Sequence, residues 1–414
     1  MANEADAFLQ GRFSVGQLAV EDLPDGHWDV IVVGGGPGGS VAAMELASLG
    51  HRVLLCDRQW FPREKVCGDG LTPAAMRLLR RFGMCEEVEA VGHRCASLSI
   101  FSPSRVRIDM PADYLTVRRE IYDALLVRRA AAAGVTFVRG TVRLLGHRPD
   151  GAAEVVFREG GRRHAAACCL LATGTRLDLA RQAGLGTAAA LTGAALRCYV
   201  RSSLPLDQLV IACEAAVLPG YAWIFPVGQG LFNVGCGLFM QGRRNKRINL
   251  KRVFASFLRD FPLTRRLLAQ GQVETPWQGA LLRSGWRQVL PMARGPYLGI
   301  GEMVGTTSPY TGEGIGKAMQ SGILAARLAH RCLLRGDVTC LQRMPVYLGQ
   351  LAGLRYGDFN RTRRWFLSPA LVDFVAGRIH NSPYLYNALQ GILQEKVDPA
   401  QVFSWRGVWR SFRF

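Results

Sequence analysis

The chain has 414 residues, 49% of them hydrophobic, enough for a large core, so it is neither a disordered chain nor a small disulfide-held scaffold. Its 51 basic residues outnumber 32 acidic ones, a formal charge of +19, which favours an anionic membrane surface, an acidic carrier or precursor protein, or a phosphorylated substrate. Nucleic acid is argued against by the lack of a zinc-finger spacing, an RNA-binding signature or a recognition-helix pattern; a basic surface that only aids solubility is the plainer alternative.

Eleven cysteines are scattered without a CxxC, which predicts no disulfide framework, no metal site and a reducing compartment. No window has the length and apolarity of a membrane span. The first 28 residues lack the basic and then apolar pattern of a secretory signal. A cytoplasmic protein, or one peripheral on the inner face of the membrane, is expected.

Residues 1–27 read as a polar arm. Asp29 to Val33 is a Val/Ile-rich run of strand length. Gly34, Gly36 and Gly39 then fall at G-x-G-x-x-G spacing. The first permits a tight turn, the second lets backbone approach a pyrophosphate, and the third lets the next helix lie close to the sheet. Ser40 to Leu49 is that helix and Arg52 to Cys56 the next strand. Asp57 ends it, where a carboxylate holds a ribose hydroxyl. The order predicts a dinucleotide site, FAD or NAD.

Residues 58–70, RQWFPREKVCGDG, read as a loop returning over the cofactor, with Arg63 and Lys65 as phosphate partners or as a solvated basic loop. Thr72 caps a helix from Pro73 to Phe82. Residues 95–110 alternate as strands, Val117 to Gly134 is helical, and Val135 to Arg139 is a strand. Ala167–Ala172 is an apolar strand that runs into Thr173-Gly174, where backbone passes close to a ligand. From residue 190 short β segments follow: 197–201, 209–215, 222–226 and 231–238.

Residues 243–266 carry Leu250, Phe254, Phe257, Leu258 and Phe261 at helical spacing, with Arg243, Arg244, Lys246, Arg247, Lys251, Arg252, Arg259, Arg265 and Arg266 against Asp260 alone. That is an amphipathic helix, either on lipid or packed on its own core. Tyr297 to Gly301 is a strand, residues 302–316 a Gly-rich connection, and Lys317 to Leu334 a long helix ended by Gly336. Residues 340–414 read as helical and aromatic-rich, with a cluster Arg361, Arg363, Arg364, Trp365, Phe366 and then Trp405 and Trp409.

The glycine turn, the CGDG loop, the PGYAWIFP segment and GEMVGTTSPYTGEGIGKAMQSGILAA occur in one order. In this the chain resembles the geranylgeranyl reductase family, within the p-hydroxybenzoate-hydroxylase-like FAD-dependent oxidoreductases, whose relatives include flavin-dependent halogenases and aromatic monooxygenases. The resemblance spans about residues 28–335. It implies FAD as cofactor and an α/β fold. A Rossmann-like FAD-binding domain (28–92, 111–190 and 296–336) would be interleaved with a mainly antiparallel β-sheet substrate domain (93–110 and 191–295). A helical C-terminal region (337–414) would follow.

The resemblance also assigns residues. Gly34, Gly36, Gly39 and Asp57 match the pyrophosphate and ribose contacts, and Arg119, with Tyr122 and Asp123, matches an R-E-x-[FY]-D segment at the cofactor. Cys67-Gly68 matches the reductases' cysteine-glycine near the flavin. Tyr221, Trp223, Phe225 and Pro226 match a Y-x-W-x-F-P motif on the substrate side. Pro309, Gly312, Gly314 and Ile315 match the loop beside the flavin ring. Two positions depart: Glu302 stands where the family has Asp, and Thr173, before Gly174, where it has Asp.

The activity implied is hydride transfer from reduced FAD to a carbon–carbon double bond of a prenyl-type substrate, with an apolar pocket that excludes water. Trp223 and Phe225 are the candidate wall, Trp223 also as a π face for positive charge. Cys67 is a candidate for proton relay or flavin placement, or an inert packing residue. Tyr310 and Glu313 are candidate proton donors, Glu313 alternatively a carboxylate that complements a helix start. An aromatic monooxygenase is the alternative activity, with halogenation a narrower form that wants a pocket lysine. A non-catalytic FAD-containing interaction module is a third class. No second nucleotide fingerprint occurs, so an external electron donor is expected: NAD(P)H, a flavin reductase or ferredoxin.

Overall fold

The computed structural model describes residues 16–24, 26–186, 191–239, 248–285, 290–351, 367–394, 396–397 and 410. The chain opens with β1 (Leu18–Ala19) and β2 (Trp28–Val33), turns into α1 (Pro37–Ser48) and returns as β3 (Val53–Asp57). β4 (Gly70–Leu71), α2 (Pro73–Arg81) and α3 (Cys85–Val91) lead to the long pair β5 (His93–Phe101) and β6 (Arg107–Thr116). Next come α4 (Arg119–Ala132), β7 (Thr136–Arg139), β8 (Val142–His147), β9 (Ala153–Phe157), β10 (Arg163–Leu171) and α5 (Asp178–Gln182). β11 (Gly193–Ser202), β12 (Leu209–Ala212), β13 (Tyr221–Pro226) and β14 (Leu231–Phe239) precede α6 (Leu250–Asp260), α7 (Pro262–Ala269), β15 (Gly271–Val273) and β16 (Gln278–Leu282). β17 (Ala293–Arg294), β18 (Tyr297–Gly299) and α8 (Ile315–Arg335) are followed by α9 (Met344–Gln350), α10 (Pro369–Ile379) and α11 (Pro383–Leu393).

The strands make two sheets. The first runs β1-β7-β3-β2-β10-β18-β17, with β8 and β9 beyond β10. Its centre is parallel: Val30 lies opposite Val53, and Leu170 opposite Val32 on one side and Leu298 on the other. Both faces of that centre are covered, which is why β2, β3 and β10 are continuously apolar rather than alternating. The second sheet runs β15-β11-β14-β13-β12-β5-β6-β4, with β16 also on β11. It is antiparallel except where β12 lies parallel to β5. The expected pairing of a Rossmann-like sheet with a mainly antiparallel one is observed.

α1 begins at Pro37, three residues before the expected start, so Gly38 and Gly39 belong to its first turn. α8 lies across it with backbone nearly touching. A Cβ on Gly322 would come 2.3 Å from the Gly38 carbonyl oxygen, and one on Gly38 3.1 Å from the Ala318 carbonyl oxygen. Glu45 of α1, almost fully buried, accepts from Arg81 of α2 at 2.6 and 3.0 Å and from Arg327 of α8 at 3.0 Å.

The single amphipathic helix expected over 243–266 is two helices, α6 and α7, joined at Phe261 and Pro262. Pro262 occupies the first position of α7, where its missing N–H costs nothing. Phe254, Phe257, Leu258 and Leu267 pack on Leu196, Cys198, Val200 and Ile224 of the second sheet. Arg243, Arg244, Lys246 and Arg247 lie outside the described residues, as do residues 1–15 and the aromatic and basic clusters at 361–366 and 405–409. The rest of the amino-terminal arm is not loose. β1 pairs with β7, and Gln17 exchanges hydrogen bonds with Phe61 at 2.8 and 2.9 Å. α10 and α11 pack against Ile108 and Met110 of β6. The expectation of no disulfide is corrected at one place: Cys332, near the end of α8, is bonded to Cys340 in the following 3-10 turn.

Candidate active site

A cavity of about 570 Å³ lies between the two sheets. One wall is the carboxyl ends of β2, β3 and β10; the other is the inner face of β11, β13, β14 and β16. Crevices at strand carboxyl ends are where doubly wound sheets bind ligands.

At the first end is the glycine turn. Gly34 has φ +114°, and a Cβ there would stand 2.4 Å from the Ala172 carbonyl oxygen. A Cβ on Gly39 would stand 1.9 Å from the Gly34 carbonyl oxygen. At Gly36 it would meet only the tip of Arg63, at 3.7 Å. Gly34 and Gly39 are therefore required by the protein's own packing, whereas Gly36 leaves backbone bare toward the cavity. Asp57 accepts from Gly35 N–H at 2.9 Å and from Gln59 N–H at 3.0 Å, which pins the turn to the end of β3. Arg63 stacks over Phe61 and is held by Asp123 at 3.2 Å and Asp57 at 3.8 Å.

In the middle stand Arg119, Gly174, Lys65 and Glu302. Arg119 begins α4 and donates to both oxygens of buried Asp123 at 2.8 Å. Burial disfavours the guanidinium charge, but Asp123, and Cys67 against which it lies, more than offset this and hold its pKa above the usual arginine value. Glu302 accepts from Arg283 N–H at 3.4 Å, and its Oε2 stands 3.7 Å from where a Cβ of Gly174 would be. Burial pushes the Glu302 carboxyl up, with Lys65 pulling the other way.

At the far end are Cys67, Tyr221, Trp223, Phe225, Gly312, Gly314 and Ile315. Phe225 lies 3.4 Å from the Cβ position of Gly68, and a Cβ on Gly235 would come 2.3 Å from the Trp223 ring, so both glycines make room for aromatic wall residues. The Tyr221 hydroxyl donates to the Thr311 carbonyl at 2.5 Å, tying the second sheet to the loop before α8; burial raises its pKa above the tyrosine norm. Pro309, Tyr310 and Glu313 are in that loop but not on the cavity wall. The Tyr310 N–H donates to Ser308 Oγ at 3.3 Å. Glu313 accepts from Gly316 N–H at 2.6 Å, a carboxylate at the start of α8.

Sequence reasoning singled out Cys67 and Trp223 but not the groups that hold them. Asn233 uses its whole amide. Its Oδ1 accepts from Trp223 Nε1 at 2.9 Å, and its Nδ2 donates to the Cys67 carbonyl at 2.8 Å and to Asp69 Oδ2 at 2.7 Å. Asp69, buried and at φ +65°, also accepts from the Tyr199 hydroxyl at 2.5 Å and from Arg119 N–H at 3.3 Å. Burial raises the Asp69 pKa, and the bonds from Tyr199 and Asn233 oppose the shift. The available signal was Asn233 itself, an amide within the apolar strand LFNVGCGLF.

Residues 27–174 match the family model described as FAD binding domain. The chain is 33% identical to the menaquinone reductase of Mycolicibacterium smegmatis over 321 residues, covering 72% of this chain and 76% of that protein. It is 26% identical to the digeranylgeranylglycerophospholipid reductase of Methanoculleus marisnigri, over 77% of this chain and 80% of the other. Among solved structures, a geranylgeranyl bacteriochlorophyll reductase-like protein from Thermoplasma acidophilum superposes with TM-score 0.74 at 21% identity, over 93% of this chain and 95% of that one. A flavin-dependent brominase superposes equally well, TM-score 0.74 at 20% identity, over 93% and 98%. At such identities the superpositions speak for the fold alone.

Proposed function

This chain belongs to the geranylgeranyl-reductase family of FAD-dependent oxidoreductases, and from that premise we propose that it reduces a carbon–carbon double bond in the prenyl chain of a lipid-like substrate such as a menaquinone. The observation that carries the reading is the apolar far end of the cavity, where Trp223, Phe225, Leu238, Phe239 and Leu282 form the wall. Such a wall suits a hydrocarbon chain and offers little to a polar substrate.

The cofactor is FAD, and the residues present fit it. Bare backbone at Gly36 leaves room for the pyrophosphate, with Asp57 placed for the ribose. Arg119, Gly174 and Glu302 would hold the middle, and Gly312, Gly314 and Ile315 at the start of α8 the ring. Bound FAD supplies the hydride that a double bond accepts.

The chain's own groups do the rest. The aromatic wall keeps water from the reacting carbons. The Trp223 ring, fixed by Asn233, offers a π face to positive charge that develops at the alkene. The Cys67 thiol, beside Arg119, would give the proton whose addition to the double bond creates that positive charge, hydride being the other half of the reduction. Tyr221 is committed to Thr311 and Glu313 to the helix start, which leaves them anchoring roles. Electrons would come from an external donor, a nicotinamide nucleotide, a flavin reductase or ferredoxin.

The test is anaerobic: FAD-loaded protein is reduced chemically, mixed with menaquinone, and the product weighed by mass spectrometry. A product heavier by two hydrogens in the side chain is expected. Oxygen insertion into an aromatic substrate under air, with no alkene reduction, would replace the reading with a monooxygenase.

A further inference from the structure

We propose that the outer side of the second sheet, where α6 and α7 lie beside β15 and β16, docks on an anionic lipid bilayer, and that the prenyl chain reaches the cavity over the β16 edge. The second half rests on the prenyl-reductase reading; the first does not. The apolar faces of α6 and α7 are buried in the core, so these helices do not enter lipid by their own hydrophobic stripes. What they present outward is charge. Lys251, Arg252, Arg259, Arg265 and Arg266 are exposed, and the only exposed acid on the two helices, Asp260, is paired with Arg259 at 2.7 Å.

Apolar side chains stand on the same side. β15 and β16 pair with β11, Val273 opposite Val200 and Leu281 opposite Ala194. Residues directly opposite in an antiparallel pair point the same way. Val200 and, two residues from Ala194, Leu196 face α6 and α7. So Val273 and Leu281 share the helices' side, and Trp277 joins them with its ring 5.0 Å from that of Phe254. The three are 46%, 46% and 40% exposed. Cations drawn to anionic headgroups, with a tryptophan and two aliphatic side chains among them, make a surface that lies in a bilayer interface. Among the described residues no helix is long and apolar enough to cross a membrane.

The inner face of the same strand belongs to the cavity. Ala280 lies opposite Ala195, and both line it with Leu282 and Phe239. One strand thus separates the apolar end of the cavity from exposed Leu281. A chain leaving the bilayer at Leu281 would enter the cavity across this edge.

The experiment uses the FAD-loaded full chain and sedimentation with phosphatidylcholine vesicles, with or without one-third phosphatidylglycerol. Binding is expected to need the anionic lipid and to weaken as salt rises from about 0.1 M to about 1 M. Each charge reversed in the set Lys251→Glu, Arg252→Glu, Arg265→Glu, Arg266→Glu should lower partitioning about thirtyfold. Trp277→Ser with Leu281→Ser should lower both partitioning and the ratio of turnover on bilayer-embedded to detergent-dispersed menaquinone. FAD content and melting temperature report that each variant is folded. Equal binding to neutral and anionic vesicles, or charge-reversed variants that partition like the parent, overturns the docking face. Reduction of dispersed menaquinone without vesicle binding overturns it while the prenyl reading stands. Vesicle binding through these side chains, with no prenyl substrate reduced, sinks the reading and leaves the face.

Discussion

A single methyl group separates two duties within the glycine turn. Gly39→Ala forces a Cβ into the Gly34 carbonyl, so FAD-free protein should lose about 1–3 kcal/mol in denaturant unfolding. Gly36→Val meets no protein backbone. It should unfold within about 1 kcal/mol of the parent, yet bind FAD at least tenfold more weakly, a loss of about 1.4 kcal/mol. If the Gly36 variant binds FAD with the parent's Kd, the turn does not hold the pyrophosphate. Glu302 offers a pH test. Its pKa is raised by burial in the folded state, so the stability it contributes is full below the unfolded carboxylate range and is lost as pH rises through the folded value. Glu302→Gln, which cannot ionise, should therefore melt above the parent at alkaline pH, the difference closing toward pH ~4, where unfolded glutamates protonate. The glycine spacing and Asp57 were legible because strand, turn, helix and strand follow one another in a single stretch, residues 28–57. Asn233 and Asp69 were not, because the bond between them joins a strand to a loop 164 residues earlier in the chain, and no spacing rule reaches across that distance.

At the scale of elements, buried Glu45 holds three helices by bonds to two arginines. Glu45→Ala removes charge-assisted bonds that a partly solvated arginine regains only in part, and should cost about 2–3 kcal/mol in chemical unfolding. A loss below about 0.5 kcal/mol would mean that α1, α2 and α8 are held by apolar packing alone. Most helices and strands could be read from periodicity, since each turns one face to a core. The break at Pro262 was hidden because apolar positions keep their spacing across it: Phe261 caps α7 while it still packs in the same cluster as Phe257. The Cys332–Cys340 bond was hidden because it depends on a 3-10 turn folding back on α8, which no cysteine spacing announces.

The whole molecule is two sheets facing each other across the cofactor cavity. A ligand that touches both should couple them. FAD at a thousandfold its Kd should stabilise the fold by about 4 kcal/mol, and calorimetry should then show one transition; two transitions, only one of them moved by FAD, would mean that the sheets unfold separately. This architecture was legible in outline from the β-rich character after residue 190, but its interleaving came from the family resemblance, because strand order is a property of contacts distant in sequence. The crossing of α1 and α8 at Gly38 and Gly322 has a kinetic meaning. With FAD bound as proposed, the helix that starts at the glycine turn and the helix that starts at the ring-side loop form one frame, so spreading the two apart would not free either end of the cofactor. Release would then depend on the opposite sheet, and FAD residence times should exceed turnover times by orders of magnitude. Widening the crossing with Gly322→Ala should shorten that residence, measured by chase with a fluorescent flavin analogue, and turn a permanent tenant into an exchangeable one.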